Sequence, residues 1–485
     1  MRTDILGSKC RLFLGLILAW GGVGTWSGID TWTSVATAQD LAIKAGTIIT
    51  VSGANIDNGV IIIRDGRIAE VGTGLAIPVD LRVLDASDKV VMPGIVDPHS
   101  SAALSQANER NAVVPFLSVI DGIDPMRPYF EESRRNGVTT AMVAPGNSTM
   151  IGGQASVVKT AGKYIDDMLL VRAAGLKISL QPPTGSRMSH IARLRRELET
   201  AKRQLAEAAE AKKTSEANGS TEKPASEPTP TPPTPTPTPP TPTPPTPPAD
   251  SEASDPNGSE TVQDPAATPP ATATDGAAAQ SAAATNQAVK DLLSGKTRAF
   301  IYCQNAADVG QAFRLMDEYG FSGVLVLGQD CYEAAAEIAK RQVPVILDPT
   351  LVYWKRDPVT RTDEKIILTK MYRDAGVKFL FQSNDSDTRQ SLGSSYFWFQ
   401  AATAVRYGMS REEAIAALTM EPAKALGVEE FVGSIQVGRD ADLVILTGDP
   451  LDVSTWVEQT LVNGEVVYER SSDWKLKLLM EAQPQ

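Results

Sequence analysis

The chain has 485 residues, 46 Lys and Arg against 58 Asp and Glu, and a formal charge of −12. That length holds one large α/β domain plus a smaller one. The acidic balance repels nucleic acid and anionic lipid, and no basic run reverses it, so nucleic-acid partners are excluded.

Arg2, Lys9 and Arg11 surround the start of an apolar run at residues 12–23, and Ala36-Thr37-Ala38 is a small-x-small site. This pattern predicts a secretory signal peptide over residues 1–38, with an uncleaved anchor as the alternative. Its removal takes three basic and two acidic side chains and leaves −13. The expected location is therefore the periplasm, the cell envelope or the extracellular space. No later run is apolar for long enough to span a membrane, so the mature chain is expected to have no span.

Residues 39–92 read as short β-strands. "LAIKAGTIIT" and "GVIIIRDGRIAEVG" are β-branched runs broken at Gly and Asp-Gly, with a hairpin turn at Arg64-Asp65-Gly66-Arg67. Residues 431–485 repeat the texture, with a second hairpin at Asn463-Gly464. The two ends are expected to form one small composite β-sandwich domain.

The middle alternates apolar runs with amphipathic segments. "GVTTAMVAPG", "GLKISLQ", "TRAFIYC", "SGVLVLG", "VPVILD" and "VKFLFQS" read as buried strands. With Ile95-Val96 and a weaker strand at Val157-Val158 they make about eight. That count fits the α/β class, specifically a (β/α)8 TIM-like barrel. The expected halves are residues 93–213 and 291–430.

Between them, residues 189–213 show helical spacing at Ile191, Leu194, Leu198, Ala201, Leu205 and Ala208. Residues 214–290 then read as a disordered Pro/Thr/Ala-rich insertion, and eighteen of the 33 prolines fall between 224 and 270. Such a tract can serve as a spacer or as a tether to a cell-envelope partner. The paired glycines of "GGQA" at residues 152–155 read as a loop that shapes a pocket. Cys303 and Cys331 are either buried thiols or, after export, a disulfide.

The stretches "VVMPGIVDPHSS", "GGQASVVKTAG", "AGLKISL" and "PAKALGVEEFVGSIQVGRDADLVILTGDPL" carry a family resemblance. Over residues ~41–190 and ~296–470 the chain resembles the amidohydrolase superfamily of metal-dependent hydrolases, in particular its secreted imidazolonepropionase-like branch. The resemblance implies hydrolysis of C–N bonds by water on one or two divalent ions. The implied ligands are a His-x-His on strand one, a Lys or Glu around strand four, a His on each of strands five and six, and an Asp on strand eight. His99 matches the first histidine and Asp385 the aspartate, which would be both ligand and general base. Ser101 stands where the second histidine belongs, and Gln181-Pro182-Pro183 where an acid follows strand four. Anchoring on Asp308-Val309 puts Tyr302 at the strand-five histidine, or Cys303 after a slip of one. Anchoring on Asp330 and Tyr332 puts Leu327 at the strand-six histidine.

With only His99 and His190 in the chain, the usual three or four imidazoles do not exist. Asn384, Asp387 and Ser101 offer only oxygen donors, and such a set holds zinc weakly. The expected cofactor is none, or a weakly bound divalent metal, zinc if any. His99 is then either a residual ligand or a packed, hydrogen-bonded histidine. His190, beside Ser189 at a helix start, reads as a capping or exposed residue. Two functions follow: a degenerate amidohydrolase that keeps a pocket for a small-molecule ligand or a partner, or an active C–N hydrolase on a reduced site at His99 and Asp385.

Overall fold

The computed structural model describes residues 40–182, 185–218, 287–383 and 396–481. The expected signal segment, residues 219–286 of the insertion, and Asn384, Asp385 and Asp387 lie outside the described residues.

Both ends of the chain contribute to a first sheet. From the N-terminal side come β1 (Leu41–Ile48), β2 (Ile56–Arg64), β3 (Arg67–Thr73) and β4 (Arg82–Pro93). Asp65 and Gly66 both take positive φ (49° and 74°), the type I′ geometry that the right-handed strand twist favours. A second sheet begins at β5 (Ile95–Ser100) and continues through β6 (Val138–Val143), β7 (Ile151–Lys159), β8 (Leu169–Ser179), β9 (Ala299–Asn305), β10 (Gly323–Asp330) and β11 (Val345–Ile346). A separate hairpin, β12 (Val352–Arg356) and β13 (Asp363–Ile367), precedes its last strand, β14 (Phe379–Leu380). The chain then returns to the first sheet with β15 (Leu443–Leu446), β16 (Val457–Val462) and β17 (Glu465–Glu469). Asn463 and Gly464, at φ 49° and 77°, make the second expected hairpin.

The first sheet has the order β17-β16-β15-β4-β1-β2-β3. Its halves join where β4 pairs antiparallel with β15, Leu443 opposite Pro93. Alternate residues such as Ile43, Ile61, Ile63, Leu443, Ile445 and Leu461 bury one shared face.

The second sheet has the order β14-β11-β10-β9-β8-β7-β6-β5 and uses the eight apolar runs expected. It is not parallel throughout, because β7 runs antiparallel to both β6 and β8. The reason is connection length. Seven residues, 144–150, join β6 to β7, and a parallel return needs a dozen or more. Outward residues such as Ile178, Ile301, Leu325 and Val345 pack on helices. Inward residues Val96, Met142, Val157, Tyr302, Val326, Ile346 and Leu380 gather in one cluster.

The helix expected over 189–213 spans Arg187–Asn218. Ile191, Leu194, Leu198 and Ala201 bury its first turns against the sheet, and residues 206–214 are exposed. The expected insertion limits of 214–290 are too wide at both ends. Residues 287–293 are helical, and Ala288, Val289 and Leu292 are buried in the core, which is why this stretch is ordered.

The two sheets are locked by charge as well as by packing. Lys159 of β7 reaches Asp442 at 2.7 Å and Asp440 at 2.9 Å, with Lys159 and Asp442 side chains 4% and 2% exposed. Breaking such a buried pair from one side costs about 3–5 kcal/mol.

Candidate functional site

The site is built at the end of β5. His99 is fully buried, and both ring nitrogens are engaged. Nδ1 lies 2.7 Å from Gln382 Oε1, and Nε2 lies 2.6 Å from Lys177 Nζ. The tautomer follows from the neighbours. Gln382 Nε2 donates to the Leu347 carbonyl at 2.7 Å, so its Oε1 faces the imidazole and accepts from Nδ1–H. The Nε2 lone pair is then left to accept from the lysine.

Lys177 sits on the inward face of β8, with Leu176 and Ile178 pointing outward. It is fully buried. Besides His99 it donates to Asn147 Oδ1 at 2.8 Å, and its ammonium lies 5.8 Å from the Tyr302 ring centre. No carboxylate among the described residues comes within ion-pair reach. Burial therefore pushes the Lys177 amine down to about 7. Burial, with the Lys177 charge behind it, holds His99 well below its ordinary value, so the imidazole is neutral.

A second cluster braces the first. Asp97 accepts from the Tyr129 hydroxyl at 3.0 Å, from the His99 amide at 3.2 Å, and from the Ser383 hydroxyl. Ser383 also meets Ser100 at 3.2 Å. Burial raises the Asp97 carboxyl to about 6 despite these donors. Asp97 thus ties the segment after β14 to β5, the opposite ends of the sheet order.

The structure brings together fewer of the expected residues than the sequence spacing implied. Tyr302 is buried on the inward face beside Lys177. Leu327 points the other way, into the outward cluster with Leu325 and Leu347. Its neighbour Val326 is the register partner of Tyr302 and shares its face. A strand's period of two makes an anchoring slip of one residue a change of face. Gln181 is half-buried and bonds through its backbone to Ser179 Oγ at 3.2 Å. Ser101 is half-buried just past β5. Asp385, the expected base, lies outside the described residues.

His190 is not an exposed cap. It is buried, and its Nε2–H donates to the Ser179 carbonyl at 2.9 Å. Gly152 and Gly153 belong to β7 and not to a loop. A Cβ on Gly153 would stand 2.7 Å from the Leu117 carbonyl oxygen, so glycine lets residues 113–118 lie along the strand. Cys303 and Cys331 are free thiols, with Cys331 Sγ donating to the Cys303 carbonyl at 3.0 Å.

Sequence reasoning missed Lys177. The signal was present in "AGLKISL", where one lysine stands between the apolar Leu176 and Ile178 of a buried strand, the fourth, for which the resemblance implies a Lys or Glu.

The described residues do not fit a transition-metal ion. No three His, Cys, Asp or Glu side chains among them converge. The one imidazole in the site presents its free lone pair to an ammonium.

Comparison with known proteins bears on the family. A family model described as "Amidohydrolase family" matches residues 385–468. The amidohydrolase tasK of Hapsidospora irregularis is 22% identical over 438 residues, 85% of this chain and 40% of that protein. The imidazolonepropionase of Thermoplasma volcanium is 30% identical over 121 residues, 24% of this chain and 29% of that protein. These findings support placing the chain in the amidohydrolase superfamily. The chain thus spans less than half of the length of these two relatives. An amidohydrolase from Thermotoga maritima MSB8 superposes with a TM-score of 0.66 at 24% identity, covering 89% of this chain and 100% of the other. That likeness is one of fold. Lys177 lies on β8, the fourth strand of the second sheet, where the resemblance implies a Lys or Glu, and here its amine meets His99 Nε2.

Proposed function

We propose that this protein is a degenerate amidohydrolase in which metal-dependent hydrolysis is reduced or lost while a ligand- or partner-binding role is kept. One observation carries the reading: the Lys177 amine lies 2.6 Å from His99 Nε2, where a ligand histidine would present its lone pair to a metal. A protonated amine there supplies the positive charge that an ion would supply, but it offers no open position for water. Tyr302 fills inward space next to it.

Within this reading the second sheet is a closed barrel. The common inward cluster and the Asp97–Ser383 bond between the two ends of the sheet order support closure. The seven-stranded sheet then corresponds to the composite sandwich, and the motif text supports the imidazolonepropionase-like branch. The basic and apolar start supports export to the cell envelope, where the Pro-Thr tract would act as spacer or tether.

Metal analysis tests the reading. Purified, dialysed protein is expected to carry far less than one transition-metal ion per chain. Stoichiometric, chelator-resistant zinc would overturn the degenerate reading in favour of an active C–N hydrolase completed by Asp385.

A further inference from the structure

Away from His99 lies a cavity of about 520 Å³ whose walls include Trp398, Phe399, Leu446, Leu451, Trp456 and Leu479. They come from the helix Phe397–Arg406, the end of β15 and the residues that follow it, and the helix Trp474–Glu481. The volume falls in the ~300–1,000 Å³ range of small-ligand sites. Several of these apolar side chains are water-exposed: Trp456 is 55% and Leu479 67% exposed. An apolar concavity left open in this way marks a binding surface.

The charges at its edge select the ligand. Three cations and two carboxylates border the cavity: Arg135, Arg470 and Lys475 against Asp452 and Asp473. Arg135 holds Asp473 through two nitrogens, at 2.7 and 3.2 Å, and Asp473 also takes the Tyr468 hydroxyl. Lys475 pairs with Glu131 at 3.1 Å. Asp452 accepts from the Ser454 amide and hydroxyl. Arg470 differs, because no carboxylate among the described residues lies within ion-pair distance of it. Its guanidinium rests 4.4 Å from the Trp456 ring centre, which fixes it over the apolar wall. On a chain of net charge −12, the edge of this cavity is net positive by one.

We propose that this cavity binds one medium-chain aliphatic carboxylate, its head group on Arg470 and its hydrocarbon chain along Trp398, Phe399, Leu446 and Leu451. Arg470 offers a forked donor suited to two carboxylate oxygens. The apolar wall takes the methylenes out of water. The site does not depend on what happens at His99.

Calorimetric titration of the full chain with decanoate, decanol and decyltrimethylammonium tests it. The expected result is one saturable decanoate site, at least tenfold tighter than decanol, with the cationic analogue weakest. Arg470→Gln should bring decanoate down to the decanol level and leave decanol unchanged. Ala402→Phe, which fills the cavity, should abolish both while the circular dichroism spectrum stays that of the parent. Several outcomes would overturn the proposal: no saturable decanoate binding below its micellar concentration, equal binding of the cation, or an Arg470→Gln variant that binds as the parent does. Binding of anionic vesicles without monomeric decanoate would assign the surface to a membrane. A dimer that excludes decanoate would assign it to a second copy of the chain.

Discussion

Lys177 is held in the protein at a cost that depends on pH. Burial pushes its amine from the ordinary 10.5 down to about 7. Between those values the unfolded chain binds the proton that the folded chain gives up, so stability rises with pH across that window. Below about 7 both states are protonated and the full penalty of the buried charge is present. Lys177→Met removes this dependence. It also leaves His99 Nε2 and Asn147 Oδ1 buried without a donor, at roughly 1–3 kcal/mol each. Urea unfolding at pH 7 and pH 9 is therefore expected to show the parent gaining stability relative to the variant as pH rises, by at most about 1.4 kcal/mol per unit. A gap of equal size at both pH values would show that the amine is not depressed. His99 and its neighbourhood were legible in the sequence only in part. The motif located His99, but a strand does not announce which of its faces holds a partner. Lys177 was passed over for the residues that follow its strand, and Leu327 was put on the wrong face by one residue.

At the scale of elements, local signals read best. Both Asp-Gly and Asn-Gly hairpins form as expected because only a few residue types accept their positive φ. The eight apolar runs of the second sheet are all strands, since each is too short and too β-branched for a helix. Direction is less legible, because no side chain in β7 records that its connections are too short for a parallel return. The helix Arg187–Asn218 shows both sides of the matter. Its buried face at Ile191, Leu194 and Leu198 was visible as spacing, but residues 206–214 are exposed and give no apolar spacing to mark its extent. Residues 219–286 then connect this helix to the helical residues 287–293. Loop closure entropy grows slowly with length, so a long connection costs little more than a short one. Replacing 219–286 with a flexible Gly-Ser linker is expected to leave unfolding free energy within about 1 kcal/mol of the parent. A loss of several kcal/mol in denaturant unfolding would mean that the segment packs on the folded body.

For the whole molecule, the sequence carried the architecture further than the chemistry. Both chain ends contribute to one sheet, and the apolar texture of each end predicted it. The long-range contacts that define the site were not predictable from any local pattern. Gln382 and His99 are 283 residues apart, and Lys177 lies 78 residues from His99. The fold brings three strands to one point, and there His99 Nε2 meets the Lys177 amine. The scarcity of histidine makes this claim open to direct observation. Only His99 and His190 contribute imidazole signals, and a His190→Gln variant assigns them. Long-range 1H–15N correlation at neutral pH, before and after one equivalent of zinc, is the measurement that decides. The account predicts that His99 is neutral, protonated on Nδ1, with an Nε2 resonance that zinc leaves unmoved. An Nε2 resonance that shifts stoichiometrically with zinc would contradict it and return His99 to the role of a metal ligand.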